Sequence, residues 1–463
     1  MKTPFAFLLF FVVGIALARE SLSYSWFYDD LHLIRVYSPD ELVQSFRGTW
    51  DVDGIETPGY RPLTTLFNHV RAVAFGENTA AHRIFDIALF SAFLTVFSLV
   101  AVRLGMPYPA SLLAGVLTLC ARYNWVDLVW IADGVHAFQG LLAAIASLSL
   151  LSYLNKRASW KIASCVIWAA LALLVREDSV ALIALIPILG LFYLFQTSGL
   201  DRIRPMDLGS SFRKLDRATR ERLRALVAVT MTLLIVCLIA ALLRFALVGE
   251  STPLDAFGWF TLLKFSLFPM GLPSQFLGDV GLHDFWAFTL GLAAMSTLLL
   301  LNSKARSLAF LWICCTVVAT APGVVVQRNN LLTFPILFYS SYLALVAYQI
   351  ARLSNWAKAI VFVILSIFVL ANSTRSLLAQ EAVNPTSLEY VSKAHAIIQN
   401  SKASVPPERA ARLWTEWAKW GIHSEADYET SFPLLQSDAL ARDRRHPDID
   451  GNPFAPIIPV FSP

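Results

Sequence analysis

The sequence predicts an all-α polytopic membrane protein, and three observations carry that expectation. The chain has 463 residues, 56% hydrophobic and only 15% charged, where soluble domains carry about 25% charged residues. Its mean hydropathy is +0.58, and the apolar residues fall in runs of about 20 separated by short polar breaks, the length that crosses a bilayer as helix. Basic residues concentrate in every second break, as the positive-inside rule requires of a chain that crosses repeatedly.

Taken in order, the first apolar run follows Lys2 and covers Pro4 to Ala18. It ends Ala16-Leu17-Ala18, which resembles a signal-peptidase site, so the segment reads either as a first span or as a cleaved leader. In both cases the chain after Arg19 lies on the side away from the cytoplasm. Spans are expected at 4–20, 84–102, 108–121, 135–154, 160–175, 179–197, 225–247, 285–301, 307–325, 332–350 and 357–372. The cytoplasmic breaks then hold Arg103; Lys156, Arg157 and Lys161; the basic loop from Arg202 to Arg224; Lys304 and Arg306; and Arg352 and Lys358. This gives about eleven spans and a carboxyl terminus outside. Arg244 and Asp86 fall near span ends, so few charges are expected within the bundle. The five cysteines, Cys120, Cys165, Cys237, Cys314 and Cys315, all sit in apolar runs without metal-ligand or disulfide spacing and read as small core residues. The net charge of +4 is small, and no nucleic-acid partner is expected.

Residues 1–372 thus form a transmembrane domain and 373–463 a polar extracytoplasmic carboxyl-terminal region. Trp414, Trp417 and Trp420 lie at helical spacing in that region and read as a packing face. Asn372-Ser373-Thr374 is a glycosylation sequon that abuts the membrane. Gly249–His283 reads as an outside segment with an interfacial or re-entrant helix.

The outside segments hold the residues of chemical interest. The first loop, 19–83, opens with Tyr24, Trp26, Phe27 and Tyr28, aromatics that settle at a membrane–water interface, followed at once by Asp29 and Asp30. The acid pair is open to two readings: a solvated acidic turn, or a general base with restricted access to water. An interfacial helix is expected from Pro39 to Gly48, then a turn at Tyr60-Arg61-Pro62. A second outside segment carries Asp127, Asp133 and His136, and a third is the tip Arg176-Glu177-Asp178. Gln327-Arg328-Asn329-Asn330 joins them on the same side. Outside tips need no arginine, so Arg176 and Arg328 either grip an anion through their forked donors or snorkel to headgroups.

Tyr28-Asp29-Asp30, then Tyr60-Arg61-Pro62-Leu63, then Ala81-His82-Arg83 resemble the first module of GT-C-type membrane glycosyltransferases. The likeness is to the tetratricopeptide-bearing transmembrane O-mannosyltransferases and their bacterial relatives, without the repeats. Leu174-Val175-Arg176-Glu177-Asp178 resembles the family's Lys-Glu turn with Arg for Lys, and Gln327-Arg328-Asn329-Asn330 with Pro335 resembles its Glu-Arg-Tyr segment. The second outside loop departs, having Asp127, Asp133 and His136 where the family tends to have a His-x-Glu and an Arg.

The resemblance implies transfer of a sugar from a polyprenyl-phosphate-linked donor to an acceptor hydroxyl outside the cytoplasm, with inversion. Such a transfer needs a base for the hydroxyl proton and cations for the departing phosphate, but no acid for a leaving group that is already good. It implies a carboxylate of the Asp29–Asp30 pair as base; Asp30 is read as the base with Asp29 in support, Arg61, Arg176 and Arg328, on outer tips where topology calls for no arginine, as converging on the donor phosphate, and Tyr60, His82, Asp127, Glu177 and Asp178 as supporting them. Between the two acids, Asp30 is chosen because Leu31, Leu33 and Ile34 can dock on the bundle and fix its direction. The expected partners are that donor, the bilayer, and a protein, lipid or glycan acceptor. No cofactor is expected, with a divalent metal left open. The expected location is a bacterial inner membrane, or the endoplasmic reticulum in a eukaryote. The alternatives are a polysaccharide polymerase or ligase, whose mark would be a large central outside loop, and a flippase or transporter, whose mark would be charges within the spans or an internal repeat.

Overall fold

The structure is a computed structural model that describes residues 2–23, 33–50, 59–76, 78–121, 128, 130–198, 216–248, 301–326, 333–366 and 369–370. Its regular elements, among the described residues, are all helical. They are α1 (Lys2–Ala18), α2 (Pro39–Ser45), α3 (Pro62–Phe75), α4 (Thr79–Arg103), α5 (Tyr108–Leu119), α6 (Val135–Lys156), α7 (Trp160–Val175), α8 (Ser179–Ser198), α9 (Arg217–Val248), α10 (Ser303–Val326) and α11 (Thr333–Ala351), followed by α12 (Asn355–Ser366). A 3₁₀ turn, Ile131–Gly134, leads into α6.

Six of these segments (α4, the 3₁₀ turn with α6, α8, α9, α10 and α11) are long and apolar enough to cross a membrane, and α1, α5, α7 and α12 are shorter apolar helices. The chain is therefore an all-α polytopic membrane protein, and its helices fall where the apolar runs place them. The expected span at 285–301 lies outside the described residues except for Leu301, as do the whole of Gly249–His283 and the region after residue 370.

The bundle is built on α6, which packs against α4, α7 and α8, while α11 closes on α5 and α10 and α1 lies along α4 and α5. Gly140 of α6 makes the close approach possible: a Cβ there would lie 2.8 Å from the Phe334 ring and 2.9 Å from that of Phe93. Small residues at helix interfaces serve this purpose in lipid, where packing rather than water exclusion drives association. Phe93, Phe97, Trp312, Phe334 and Phe338 form an aromatic column there, with Phe97 edge-on to Phe338 at 5.7 Å.

The two ends of the bundle differ in charge. At the basic end Arg103 donates to the Ser152 hydroxyl at 2.8 Å and Arg157 pairs with Glu221 at 2.7 Å. At the opposite end lie the 176–178 turn, the start of α3 and the last turns of α9. The alternation read from the basic breaks is thus the alternation of the folded chain.

Four local features depart from the sequence expectations. A 14-residue helix, α3, follows the expected turn at Tyr60-Arg61-Pro62, with Pro62 at its first position, where the missing N–H does no harm. Its pattern is inverted: Thr64, Thr65, Asn68 and Arg71 are buried while Leu66, Val70 and Val73 are exposed. The interfacial helix α2 stops at Ser45 rather than Gly48 and begins with a capping box between Ser38 and Glu41. Helix α9 begins eight residues before the expected 225, where Asp216 accepts from the Thr219 N–H at 2.8 Å and Arg217 pairs with Glu221 one turn on. Asp86 is not an end charge. It is fully buried, paired with Arg71 at 2.6 Å, and Arg71 also donates to the Ile131 carbonyl at 2.9 Å.

Candidate active site

The site starts from a helix break. Arg176 leaves α7 in an extended conformation, φ −153° and ψ 141°, so α7 stops and α8 restarts at Ser179. The Ser179 hydroxyl donates to the Ala172 carbonyl at 2.7 Å, which also accepts from the Arg176 N–H, and so ties the start of α8 to the last turn of α7. Three charged residues are thereby set on a short turn at the end of the bundle opposite the basic one.

Glu177 reaches from this turn to the start of α3. Its Oε1 accepts from the Tyr60 backbone N–H at 2.7 Å, and its Oε2 accepts from Arg61 Nε at 2.6 Å. Arg244 Nε, from the last turns of α9, lies 3.5 Å from Oε1. The Tyr60-Arg61 segment is itself held in several ways. The Trp50 N–H donates to the Gly59 carbonyl at 2.9 Å, Thr65 donates to the Trp50 carbonyl at 2.7 Å, and Thr64 donates to the Val175 carbonyl at 2.6 Å. The Arg61 guanidinium lies 5.4 Å from the centre of the Trp50 ring, within cation–π range. Gly59 approaches the site closely: a Cβ there would lie 2.7 Å from Glu177 Oε1, the far end of that side chain, and 3.1 Å from Arg61 Nε.

Burial pushes the Glu177 carboxyl toward a higher pKa, but the charge of Arg61 and the hydrogen bonds from Arg61, from its own backbone and from Tyr60 outweigh burial and hold it below the usual range. Asp178 behaves alike. Burial raises it, and the charges of Arg176, His136 and Arg61 with the Gln139 hydrogen bond bring it below its ordinary value. Gln139 Nε2 donates to Asp178 at 3.0 Å and to the Ser179 hydroxyl at 2.8 Å, while Arg176 Nε lies 3.3 Å from the same Asp178 oxygen. One turn before Gln139, His136 Nδ1 lies 3.3 Å from Asp133. Both Glu177 and Asp178 are therefore carboxylates at neutral pH, and neither is placed as a proton donor.

In front of Glu177 is a cavity of about 370 Å³. Tyr60, Glu177 and Arg244 form its polar side; Leu173, Val180, Cys237, Ala240, Ala241 and Phe245 form the apolar remainder. Its outer wall is α9, which leaves Leu234, Ile235, Leu238, Ile239 and Leu242 exposed on the bundle surface. An anion with a long apolar tail fits such a lining: charge at one end, hydrocarbon along a helix that faces lipid.

Of the residues singled out from the sequence, Tyr60, Arg61 and Glu177 are brought into contact, with Arg176 and Asp178 forming a neighbouring pair on the same turn. His82 stands at the α3–α4 junction, where Nε2 lies 3.0 Å from the Gly76 carbonyl and the ring meets Phe75 edge-on. Asp29, Asp30, Asp127 and Arg328 lie outside the described residues. Sequence reasoning took Arg244 only as a charge near a span end, although a lone arginine in the apolar run after Arg224 is itself a signal, because intramembrane charges are seldom idle. It also passed over Gln139, for which no pattern speaks. Among the described residues, no group of three or more His, Cys, Asp or Glu side chains could hold a metal ion.

No protein-family model matches the chain, and no curated protein matches it. Among solved structures, the chain is similar to ArnT from Cupriavidus metallidurans, whose crystal structure was determined with undecaprenyl phosphate bound. The two are 12% identical, the match covers 94% of this chain and 78% of that one, and the TM-score is 0.37.

Proposed function

We propose that the chain is a GT-C-type membrane glycosyltransferase that moves a sugar from a polyprenyl-phosphate donor to an acceptor hydroxyl at the extracytoplasmic end of the bundle, with inversion. The observation that carries this reading is the cavity in which Tyr60, Glu177 and Arg244 form one side, with Arg61 paired to Glu177 behind it, and apolar residues of α7, α8 and α9 line the other. A lipid phosphate needs both halves: guanidinium donors for the phosphate oxygens and an apolar track for the chain. The basic breaks lie at the far end, and by the positive-inside rule that supports an extracytoplasmic cavity.

In the reaction the acceptor oxygen attacks the anomeric carbon as the bond from that carbon to the phosphate oxygen breaks. The departing electron pair stays on the phosphate, and the acceptor proton passes to Asp30, supported by Asp29. Arg61, Arg244, Arg176 and Arg328 supply positive charge where the phosphate gains negative charge. Tyr60 contributes a backbone N–H, and Glu177 and Asp178 hold Arg61 and Arg176 in place. We assign His82 and Asp127 supporting roles in the same reaction. The acceptor is a protein, lipid or glycan hydroxyl, and the setting is a bacterial inner membrane.

The test has two parts. A strain lacking the protein should accumulate the unused lipid-linked sugar, seen by thin-layer analysis. Asp30→Asn, which keeps size but removes the base, should lower turnover by roughly 10² to 10⁴ while donor binding persists. An unchanged lipid-sugar profile together with full activity of Asp30→Asn and Asp29→Asn would sink the reading.

A further inference from the structure

Glu177 occupies the position that an anionic ligand would take. Three donors converge on its carboxylate: the Tyr60 N–H at 2.7 Å, Arg61 Nε at 2.6 Å and Arg244 Nε at 3.5 Å. The amino terminus of α3, with its partial positive charge, begins at the same spot. The adjoining cavity is lined by Tyr60, Glu177 and Arg244 together. This is the donor set that recognises a phosphate, already holding an oxyanion supplied by the chain itself.

Resting on the glycosyltransferase reading, we propose that Glu177 is the resident anion of the phosphate site formed by Tyr60, Arg61 and Arg244, and that its charge opposes the bound phosphate so that spent lipid phosphate is released. The argument is a charge count. Donor and product differ at one atom: a polyprenyl-phosphate sugar is a diester with one negative charge, and the polyprenyl phosphate left after transfer is a monoester whose second proton leaves with a pKa of about 6. Two guanidinium groups alone would hold the dianion far more tightly than the monoanion, and the enzyme would stay loaded with product. A fixed carboxylate beside them subtracts from the attraction in proportion to ligand charge, so it acts on the product twice and on the donor once. The low pKa of Glu177 keeps that charge in place throughout the neutral range.

The experiment uses the full chain in nanodiscs at pH 8, with farnesyl phosphate as the monoester and methyl farnesyl phosphate as the diester. Glu177→Gln keeps the amide oxygen available to Tyr60 and removes the charge. It should tighten the monoester on the order of tenfold and the diester about threefold, the square relation that the charge count demands. A second variant reaches the same carboxylate from the other side. Gly59→Ala places a methyl 2.7 Å from Glu177 Oε1, the mobile end of that side chain, and should displace it and shift both affinities in the same direction. Equal tightening of both ligands, no change, or weaker binding of both would overturn the proposal, the last by showing that Glu177 only positions Arg61. Wild-type protein that binds neither probe, with Arg244→Gln no different, would instead remove the lipid-phosphate reading on which the proposal stands.

Discussion

Arg61–Glu177 and Arg71–Asp86 are both guanidinium–carboxylate pairs closed at 2.6 Å, and both tie α3 to another part of the bundle. They differ in what surrounds them. The Arg71 and Asp86 side chains are 1% and 2% exposed, and Arg71 spends another donor on the Ile131 carbonyl. Gly134 packs so closely that a Cβ would fall 2.2 Å from Asp86 Oδ1, leaving no room for a ligand. The Arg61 and Glu177 side chains are 19% and 25% exposed, Glu177 lines a cavity of about 370 Å³, and a second cation, Arg244, lies alongside. Equal bond lengths therefore mark different roles. A sealed pair fixes the helix that carries Arg61, and an open pair beside a cavity and a second arginine lies where an incoming anion can reach it.

Breaking the sealed pair should have the largest effect. Asp86→Asn or Arg71→Ala leaves one charge buried without its partner and should destabilise the folded protein by about 3–5 kcal/mol. Arg71→Lys should rescue little, because a single ammonium cannot reproduce the fork that serves both Asp86 and the Ile131 carbonyl. Thermal unfolding in detergent reads this directly; a melting point within a degree of wild type would show that the pair is not what holds α3.

The open pair should show its contribution as a pH dependence. The folded-state pKa of Glu177 is depressed from its ordinary 4.5, so the stability it contributes is fully present above that value and is lost as pH falls through the lower, folded-state one. Melting points of wild type and Glu177→Gln, measured from pH 7 to pH 3, should therefore converge below about pH 4.5. Curves that stay parallel to pH 3 would mean that Arg61 does not sense the charge.

Least of all should follow from the basic end. There Arg157 and Glu221 pair at 2.7 Å, but their side chains are 42% and 40% exposed. Glu221→Gln should leave the melting point almost unchanged, and what effect there is should fade with added salt. A larger loss would make the capped start of α9 a fold determinant rather than a solvated end.

Much of the architecture was legible because a bilayer constrains sequence more severely than a soluble core does. A segment that crosses hydrocarbon must satisfy its backbone internally and be apolar for about 20 residues, and α4, α6, α7, α8 and α11 fall at the predicted positions to within a few residues. The 176–178 tip was legible too, since charges on a short turn between apolar helices stand out against their surroundings. Helix α3 was not. Leu66, Val70 and Val73 point away from the bundle while Thr64, Thr65, Asn68 and Arg71 point inward, and hydrophobic periodicity identifies the apolar face of a helix without saying which side faces the protein.

By itself the sequence determined the helical class, the order and alternation of the spans, the end at which the polar chemistry gathers, and the identities of Tyr60, Arg61 and Glu177 as residues of interest. Only the tertiary structure decided that Glu177 lies against Tyr60 and Arg61, more than a hundred residues away, that Arg244 of α9 joins them, and that Asp86 is sealed on Arg71. The physical reason is that crossing a membrane is settled segment by segment, by the hydration of each stretch of chain. An ion pair between helices depends on which helices become neighbours and at what height along the bundle. That is set by the packing of small and aromatic residues at interfaces such as Gly140 against Phe93 and Phe334, and no local stretch of sequence contains it.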